Sequence, residues 1–228
     1  MKALVLFSGG LDSTTILAMA VEQYGSENVI ALSMRYGQKH EKEIQCAKDI
    51  VKHYGVEHIE YDMSNVFKFS ECTLLKGNEK IPTGSYAEQR KGNEKPVSTY
   101  VPYRNGVFLS VATSIAISLN CDTIYYGAHK DDASNEAYPD CSEDFNDYIS
   151  QAIWCGSGKQ VKIIAPFIDK TKADIVKKGI ELNVPYEKTW SCYEGGDNPC
   201  GKCATCIDRE KAFKINGKED PLYDKVGE

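Results

Sequence analysis

Residues 7–17 read FSGGLDSTTIL, and the fold turns on this stretch. A short apolar run, Lys2 to Phe7, stops at Ser8; two glycines follow, and a helical pattern opens behind them. A glycine turn between a strand and a helix N-terminus gathers backbone N–H groups and the positive end of the helix dipole around one anion. Gly9 and Gly10 remove the side chains that would hold that anion off. The turn has no lysine, so it is not the GxxxxGK(S/T) loop that cradles a nucleotide for transfer of its terminal phosphoryl group. Asp12 is the odd residue, because a carboxylate repels phosphates. It caps the helix or takes one side of a magnesium bridge to the nucleotide, and the two roles are compatible.

Working outward, further strands are expected at Val29 to Met34, His58 to Asp62, Thr123 to Tyr126 and Val161 to Ala165. Helices are expected at Asp12 to Tyr24, Glu41 to Tyr54, Arg104 to Leu119 and Lys172 to Leu182. In the third, Val107, Phe108, Val111, Ile115 and Leu119 recur at spacings of three and four, the amphipathic period. Strands alternating with helices predict an α/β fold with a doubly wound, mostly parallel sheet. Residues 1–185 are the expected nucleotide-binding domain and 186–228 a small cysteine-bearing segment. Residues 63–102 show no period and contain the pentapeptide KGNEK twice, at 76–80 and 91–95. That reads as an insertion with two similar polar turns, or as a lid over the site. The polar, acidic stretch 127–141 follows a strand, where open parallel sheets carry ligand-binding loops.

The chain has 228 residues, formal net charge −6 and 42% hydrophobic residues, which disfavours a nucleic-acid partner, since such proteins carry a basic face. No apolar stretch reaches spanning length and no signal peptide is visible, so neither a membrane nor export is expected, and the location is read as cytoplasmic. The nine cysteines are then free thiols or metal ligands rather than a disulfide framework. Cys192, Cys200, Cys203 and Cys206 fall within fifteen positions and offer four thiolates, a closed tetrahedral set for one structural zinc ion. An iron–sulfur cluster is the competing occupant, although the fourth cysteine lies upstream and no Cys-Pro follows. The segment is short of apolar residues, so metal binding is expected to supply much of its folding free energy. Cys46, Cys72, Cys121, Cys141 and Cys155 are scattered and read as small buried or incidental thiols.

SGGLDS near the N-terminus resembles the PP-loop of the ATP pyrophosphatases, with their adenine nucleotide alpha hydrolase-like fold. The resemblance implies binding of magnesium-ATP across residues Phe7, Ser8, Gly9, Gly10, Leu11, Asp12, Ser13, Thr14, Thr15, Ile16 and Leu17, with cleavage between the α- and β-phosphates and adenylation of a substrate oxygen. The stretches RYGQKHEKEIQCA (35–47), YVPYRNGVFLSVATSIA (100–116), GAHKDDASNEAYPDCSEDF (127–145) and CIDREKAF (206–213) narrow it. Together with the cysteine cluster they resemble the 7-cyano-7-deazaguanine synthase family from Lys2 to about Gly217. Tyr103 stands where that family often has a glycine.

The family likeness implies a carbon–nitrogen ligase that turns 7-carboxy-7-deazaguanine and ammonium into the nitrile with two ATP. It implies catalytic roles for Asp12, Ser13, Lys172 and Arg104, and one structural zinc per chain. Lys172 is either a phosphate contact or a solvated helix lysine. Arg104 and Asn105 bind phosphate or carboxylate, or form an exposed helix start. Asp132, Asp140 and Glu143 are candidates to accept the N–H donors of the base, or belong to an acidic surface loop. His129 is a base, a ligand or structural. A homodimer is expected on frequency alone. A tRNA-thiolating PP-loop enzyme and a non-catalytic nucleotide-binding module are the rival readings.

Overall fold

Strand β1 (Ala3–Leu6) presents Ala3 and Val5 to one apolar core and Leu4 to the other, as a central parallel strand must. The structure is a computed structural model and describes residues 1–39, 42–75, 77, 80–92, 95–133 and 137–223. Strands β2 (Val29–Arg35), β3 (Glu57–Asp62), β4 (Thr123–Tyr125) and β5 (Lys162–Ile164) join β1 in a five-stranded sheet of order β3-β2-β1-β4-β5. Every pairing is parallel, with Ala3 opposite both Val29 and Thr123. The strand order reverses between β1 and β4, which opens a crevice at their C-terminal ends.

The helices are α1 (Leu11–Tyr24), α2 (Lys42–Tyr54), α3 (Tyr86–Arg90), α4 (Arg104–Ser118), α5 (Lys130–Ala133), α6 (Glu143–Gly156), α7 (Lys172–Glu181) and α8 (Ala204–Ile215). Leu17 of α1, Ile50 of α2, Ile175 of α7 and Phe213 of α8 fill the core on one face of the sheet. Leu109 and Ala112 of α4 and Ile153 of α6 fill the other, with Met63, Phe67, Leu74 and Val97 from the 63–102 stretch. The expected strands and helices all form. Helices α6 and α8 were not expected: α6 opens on the acidic run Glu143, Asp144, which complements its dipole, and Ser142 caps it by accepting from Phe145 N at 3.1 Å. The KGNEK repeats include Lys76, Asn78, Glu79, Asn93 and Glu94, which lie outside the described residues.

Tyr103 precedes α4 with φ 55°, the left-handed region that glycine enters without strain. Its ring packs edge-on to Phe145 at 5.8 Å, a contact glycine would not make. In the C-terminal segment, α8 lies on α7, and Phe213 meets Tyr186 with ring centroids 5.3 Å apart. The buried Arg209 holds Asp220 through Nε and Nη2 at 2.6 and 2.9 Å and donates further to Thr189 Oγ1 and Tyr186 O. A buried ion pair with its donors used in this way ties the segment into the main core. The segment therefore has protein anchors of its own besides the four cysteines.

Candidate active site

The glycine turn is seated directly on α2. Gly9 has φ +83°, and a Cβ there would sit 2.5 Å from Glu43 O and 2.7 Å from Ala47 N. Only glycine fits both the conformation and the gap. Trp190 N donates to Gly9 O at 3.1 Å and clamps the turn from the other side. Ser13 Oγ accepts from Ser8 N at 3.2 Å and lies 3.1 Å from Ser8 Oγ, so the two hydroxyls stand together at the mouth of α1. The helix cap is Gly10, with no side-chain cap; Asp12 stands two residues on. Asp12 therefore does not cap the helix, and its carboxylate is available for other work.

A cavity of ≈230 Å³ opens over this turn. Phe7, Ser8, Gly10, Leu11, Asp12 and Ser13 line it. Thr14, Thr15, Ile16 and Leu17 do not: all are fully buried along α1, with Thr14 Oγ1 bonded to Gly10 O at 2.7 Å and Thr15 Oγ1 to Tyr186 OH at 2.7 Å. Their place is in holding α1 against α7 and Tyr186.

The loop's missing lysine arrives from across the sheet. Lys172 opens α7, is 6% exposed, and places Nζ 3.2 Å from Asp12 Oδ2, so the solvated reading of this residue is excluded. Its backbone N donates to Asp131 Oδ2 at 2.7 Å, which fixes the helix start to the loop after β4. Burial works against both charges of the pair. It is outweighed for Lys172, whose ammonium is held well above its usual range by Asp12, Asp132 and Asp208. It is outweighed for Asp12 too, whose carboxyl is held below the usual range by Lys172 and His129. His129 is buried, with Nε2 3.2 Å from Asp132 Oδ2 and 3.8 Å from Asp12 Oδ2, though neither ring nitrogen is aligned for a hydrogen bond. Asp12 Oδ1 is buried with no hydrogen-bond partner and faces the same cavity, a donor that a divalent cation would satisfy.

Arg104 has a different set of neighbours. Its guanidinium lies over Tyr36 and Phe108, with centroids 5.4 and 6.0 Å away, and Nη1 reaches Tyr36 OH at 3.4 Å. Asn105 and Asp132 also line the cavity, but Asp140 and Glu143 do not. Asp140 Oδ2 accepts from Asn105 N at 2.8 Å and so caps α4, while Glu143 is exposed at the start of α6. Cys141 lines the wall with its thiol pushed well up by burial and by Asp132 and Asp140, and it accepts from Asn105 Nδ2 at 3.2 Å. Sequence reasoning passed over Glu43, Tyr36 and Trp190. The first two lie inside the RYGQKHEKEIQCA stretch, but a glutamate in a first helical turn reads as a dipole partner before it reads as a site residue.

The sulfur atoms of Cys192, Cys200, Cys203 and Cys206 all lie within 4.8 Å of one another, near the spacing a tetrahedral zinc–thiolate set requires. Backbone amides turn toward them: Cys200 N donates to Cys192 Sγ at 3.3 Å and Cys203 N to Cys200 Sγ at 3.3 Å. Such donors favour thiolates and orient them, so the four residues fit a metal ion. Of the remaining cysteines, Cys72, Cys121 and Cys141 are buried, Cys46 partly so and Cys155 exposed. Among the described residues no helix is long and apolar enough to cross a membrane.

Comparison with known proteins bears on what this site does. The family described as "Queuosine biosynthesis protein QueC" matches residues 2–217. A protein of Archaeoglobus fulgidus named 7-cyano-7-deazaguanine synthase is 42% identical over 223 residues, covering 97% of this chain and 90% of its own length. One of the same name from Marinomonas sp. is 39% identical over 221 residues, 97% of each chain. Two solved structures share the fold at low identity. The U34-tRNA thiolase NcsA of Methanococcus maripaludis, with its 4Fe-4S cluster, has TM-score 0.50, 18% identity and coverage of 100% of this chain and 66% of its own. NMN synthetase of Francisella tularensis has TM-score 0.51, 14% identity and coverage of 96% and 78%.

Proposed function

The chain belongs to the QueC family of queuosine biosynthesis proteins, the 7-cyano-7-deazaguanine synthases, and on that premise we propose that it converts 7-carboxy-7-deazaguanine and ammonia to 7-cyano-7-deazaguanine at the expense of two ATP. A carboxylate is a poor electrophile because its leaving group would be oxide. Adenylation replaces that leaving group with AMP, and ammonia then gives the amide. A second adenylation, now of the amide oxygen, followed by loss of AMP and a proton, leaves the nitrile. One loop serves both rounds because both activate an oxygen on the same carbon.

In this reading Ser8, Ser13 and the backbone of Gly9 and Gly10 hold the β- and γ-phosphates as pyrophosphate departs, a task for preorganised donors. Lys172 adds the positive charge that the loop lacks. Asp12 would hold magnesium, and that ion would supply positive charge beside the phosphates. Cys192, Cys200, Cys203 and Cys206 would hold zinc in a structural role. The observation that carries the reading is Lys172 Nζ at 3.2 Å from Asp12 Oδ2, beside the paired Ser8 and Ser13 hydroxyls. A loop built for a departing pyrophosphate takes its cation from another element.

The test is to incubate the protein with magnesium-ATP, ammonium and the carboxylated base. AMP and pyrophosphate that form only when the base is present support the proposal. Formation of ADP, or AMP released only with tRNA, would overturn it.

A further inference from the structure

Three carboxylates line the cavity: Asp12, Asp132 and Glu43. The first pairs with Lys172 at 3.2 Å and the second lies 3.2 Å from His129 Nε2, so both stand at the PP-loop end. Glu43 lies in the first turn of α2, mostly buried, and among the described residues its carboxylate receives no hydrogen bond and forms no ion pair. Its electrostatic partner across the cavity is Arg104. Its oxygens open onto the cavity rather than onto donors of the protein, so a ligand that brings N–H groups takes the place of water there. Burial also pushes the Glu43 carboxyl up to about 7, with Arg104 opposing the shift.

The walls around Glu43 define the shape of the missing donor. Tyr36 and Phe108 meet edge to face at 5.7 Å, with the Arg104 guanidinium over both rings. Leu74, Met34 and Ile44 add apolar surface, and Gln38 supplies a polar edge. This is a lining for a flat heterocycle whose rim carries N–H donors beside an acceptor. The Watson–Crick edge of a guanine-type base has that order: N1–H and the 2-amino group as adjacent donors, with O6 as the neighbouring acceptor. Two carboxylate oxygens accept the two donors in bidentate fashion, and a guanidinium donates to O6.

We propose that Glu43 is the specificity-determining residue that reads the N1–H and 2-amino edge of the deazaguanine base, with Arg104 on O6. This assignment rests on the function proposed above and moves base recognition away from Asp132, Asp140 and Glu143. It gives a role to a glutamate that stands where burial disfavours its charge. It also orients the base, because an edge gripped at Glu43 leaves the opposite, five-membered ring free to point its carboxyl toward Ser13 and Lys172.

The experiment compares the wild-type protein with Glu43→Gln on two substrates, the carboxylated deazaguanine and its analogue lacking the 2-amino group, with ATP affinity measured separately. In the wild type, removal of the 2-amino group is expected to lower kcat/KM about 10²-fold or more, as loss of one donor to a buried carboxylate does. In Glu43→Gln the natural substrate is expected to fall by a similar factor, mainly through KM. Discrimination between the two substrates is expected to shrink to within about tenfold, with ATP affinity unchanged. Glu43→Gln that keeps full discrimination, or that weakens ATP rather than the base, overturns the assignment. A wild-type protein that converts neither substrate overturns the function itself, which keeps the two failures apart.

Discussion

At one end of the cavity, consecutive residues of a single turn form the proposed phosphate cradle; at the other, the side chains of Tyr36 and Glu43, of Leu74, of Arg104 and of Tyr193 come from four segments to form the proposed base wall. The first end is rigid because its backbone has nowhere to go: Gly9 is wedged against Glu43 O and Ala47 N, and Trp190 N grips Gly9 O. The second relies on side chains, an Arg104 guanidinium stacked on aromatic rings and a carboxylate waiting for donors. A chemistry shared by many enzymes needs a fixed local geometry and is written as a motif. Recognition of one base needs shape and is written across the chain.

The phosphate end is most easily damaged at Gly9. Gly9→Ala drives a methyl into the backbone of α2 and holds alanine at φ +83°, a combined cost of roughly 2–4 kcal/mol. Activity is expected to fall about 10³-fold or more, since displacing the cradle by an ångström misplaces the reacting atoms. Melting curves and AMP release with each substrate check it. A variant of normal stability and rate would mean the turn is not held by α2.

Next in size is Lys172→Met, which leaves Asp12 without its cation. Its kcat is expected to fall about 10²- to 10³-fold with little change in KM for the base, the signature of charge stabilisation lost at the phosphate end. An effect on KM for the base alone would blur the two ends into one. Asp12 also predicts an acid limit to stability. Its folded-state pKa is depressed, so its contribution is complete above the ordinary carboxylate value of 3.8 and is lost as pH falls through the lower folded value. Asp12→Asn is expected to flatten that part of the stability–pH curve.

Metal removal tests how far the cysteine segment stands apart. Stripping the ion with a strong chelator is expected to release zinc near one per chain and to expose residues 193–203 to protease. Helix α8 is expected to stay protected in hydrogen exchange, since Arg209, Asp220 and Phe213 anchor it without the metal. Loss of protection throughout α8 would show that the ion carries the whole segment. Iron with labile sulfide in the preparation would contradict zinc.

The smallest effect belongs to Glu43 in the ligand-free protein. A carboxyl raised from 4.5 to about 7 contributes stability that is complete below pH 4.5 and lost as pH rises through about 7. Glu43→Gln is therefore expected to match the wild type near pH 4.5 and to exceed it above pH 7, by roughly 1–2 kcal/mol once partial exposure is allowed for. Denaturant titrations at the two pH values read this directly, and equal stability at both would place the carboxylate in water.

What the sequence made legible follows the same division. Sequence pattern located all five strands and four of the helices that cover the sheet, α1, α2, α4 and α7, because each buries an apolar face. SGGLDS and the four cysteines are local in sequence, so their groups meet wherever the chain folds. Asp140 looked like a base acceptor from its acidic neighbours, and only the fold shows it turned onto Asn105 N as the cap of α4. Glu43 was hidden for the opposite reason: an acid at a helix start has a local explanation, and its lack of donors exists only in three dimensions. Arg209 and Asp220 are eleven residues apart in an unpromising tail, and their burial depends on Thr189 and Tyr186 meeting them.

Isotope-resolved mass spectrometry of the product asks whether one PP-loop activates the same carbon twice. With magnesium-ATP, the carboxylated deazaguanine and nitrogen-15 ammonium, the expected product is a nitrile carrying one heavy nitrogen, with two AMP formed per nitrile. Accumulation of the amide as the final product with one AMP, or a nitrile without the label, would contradict it.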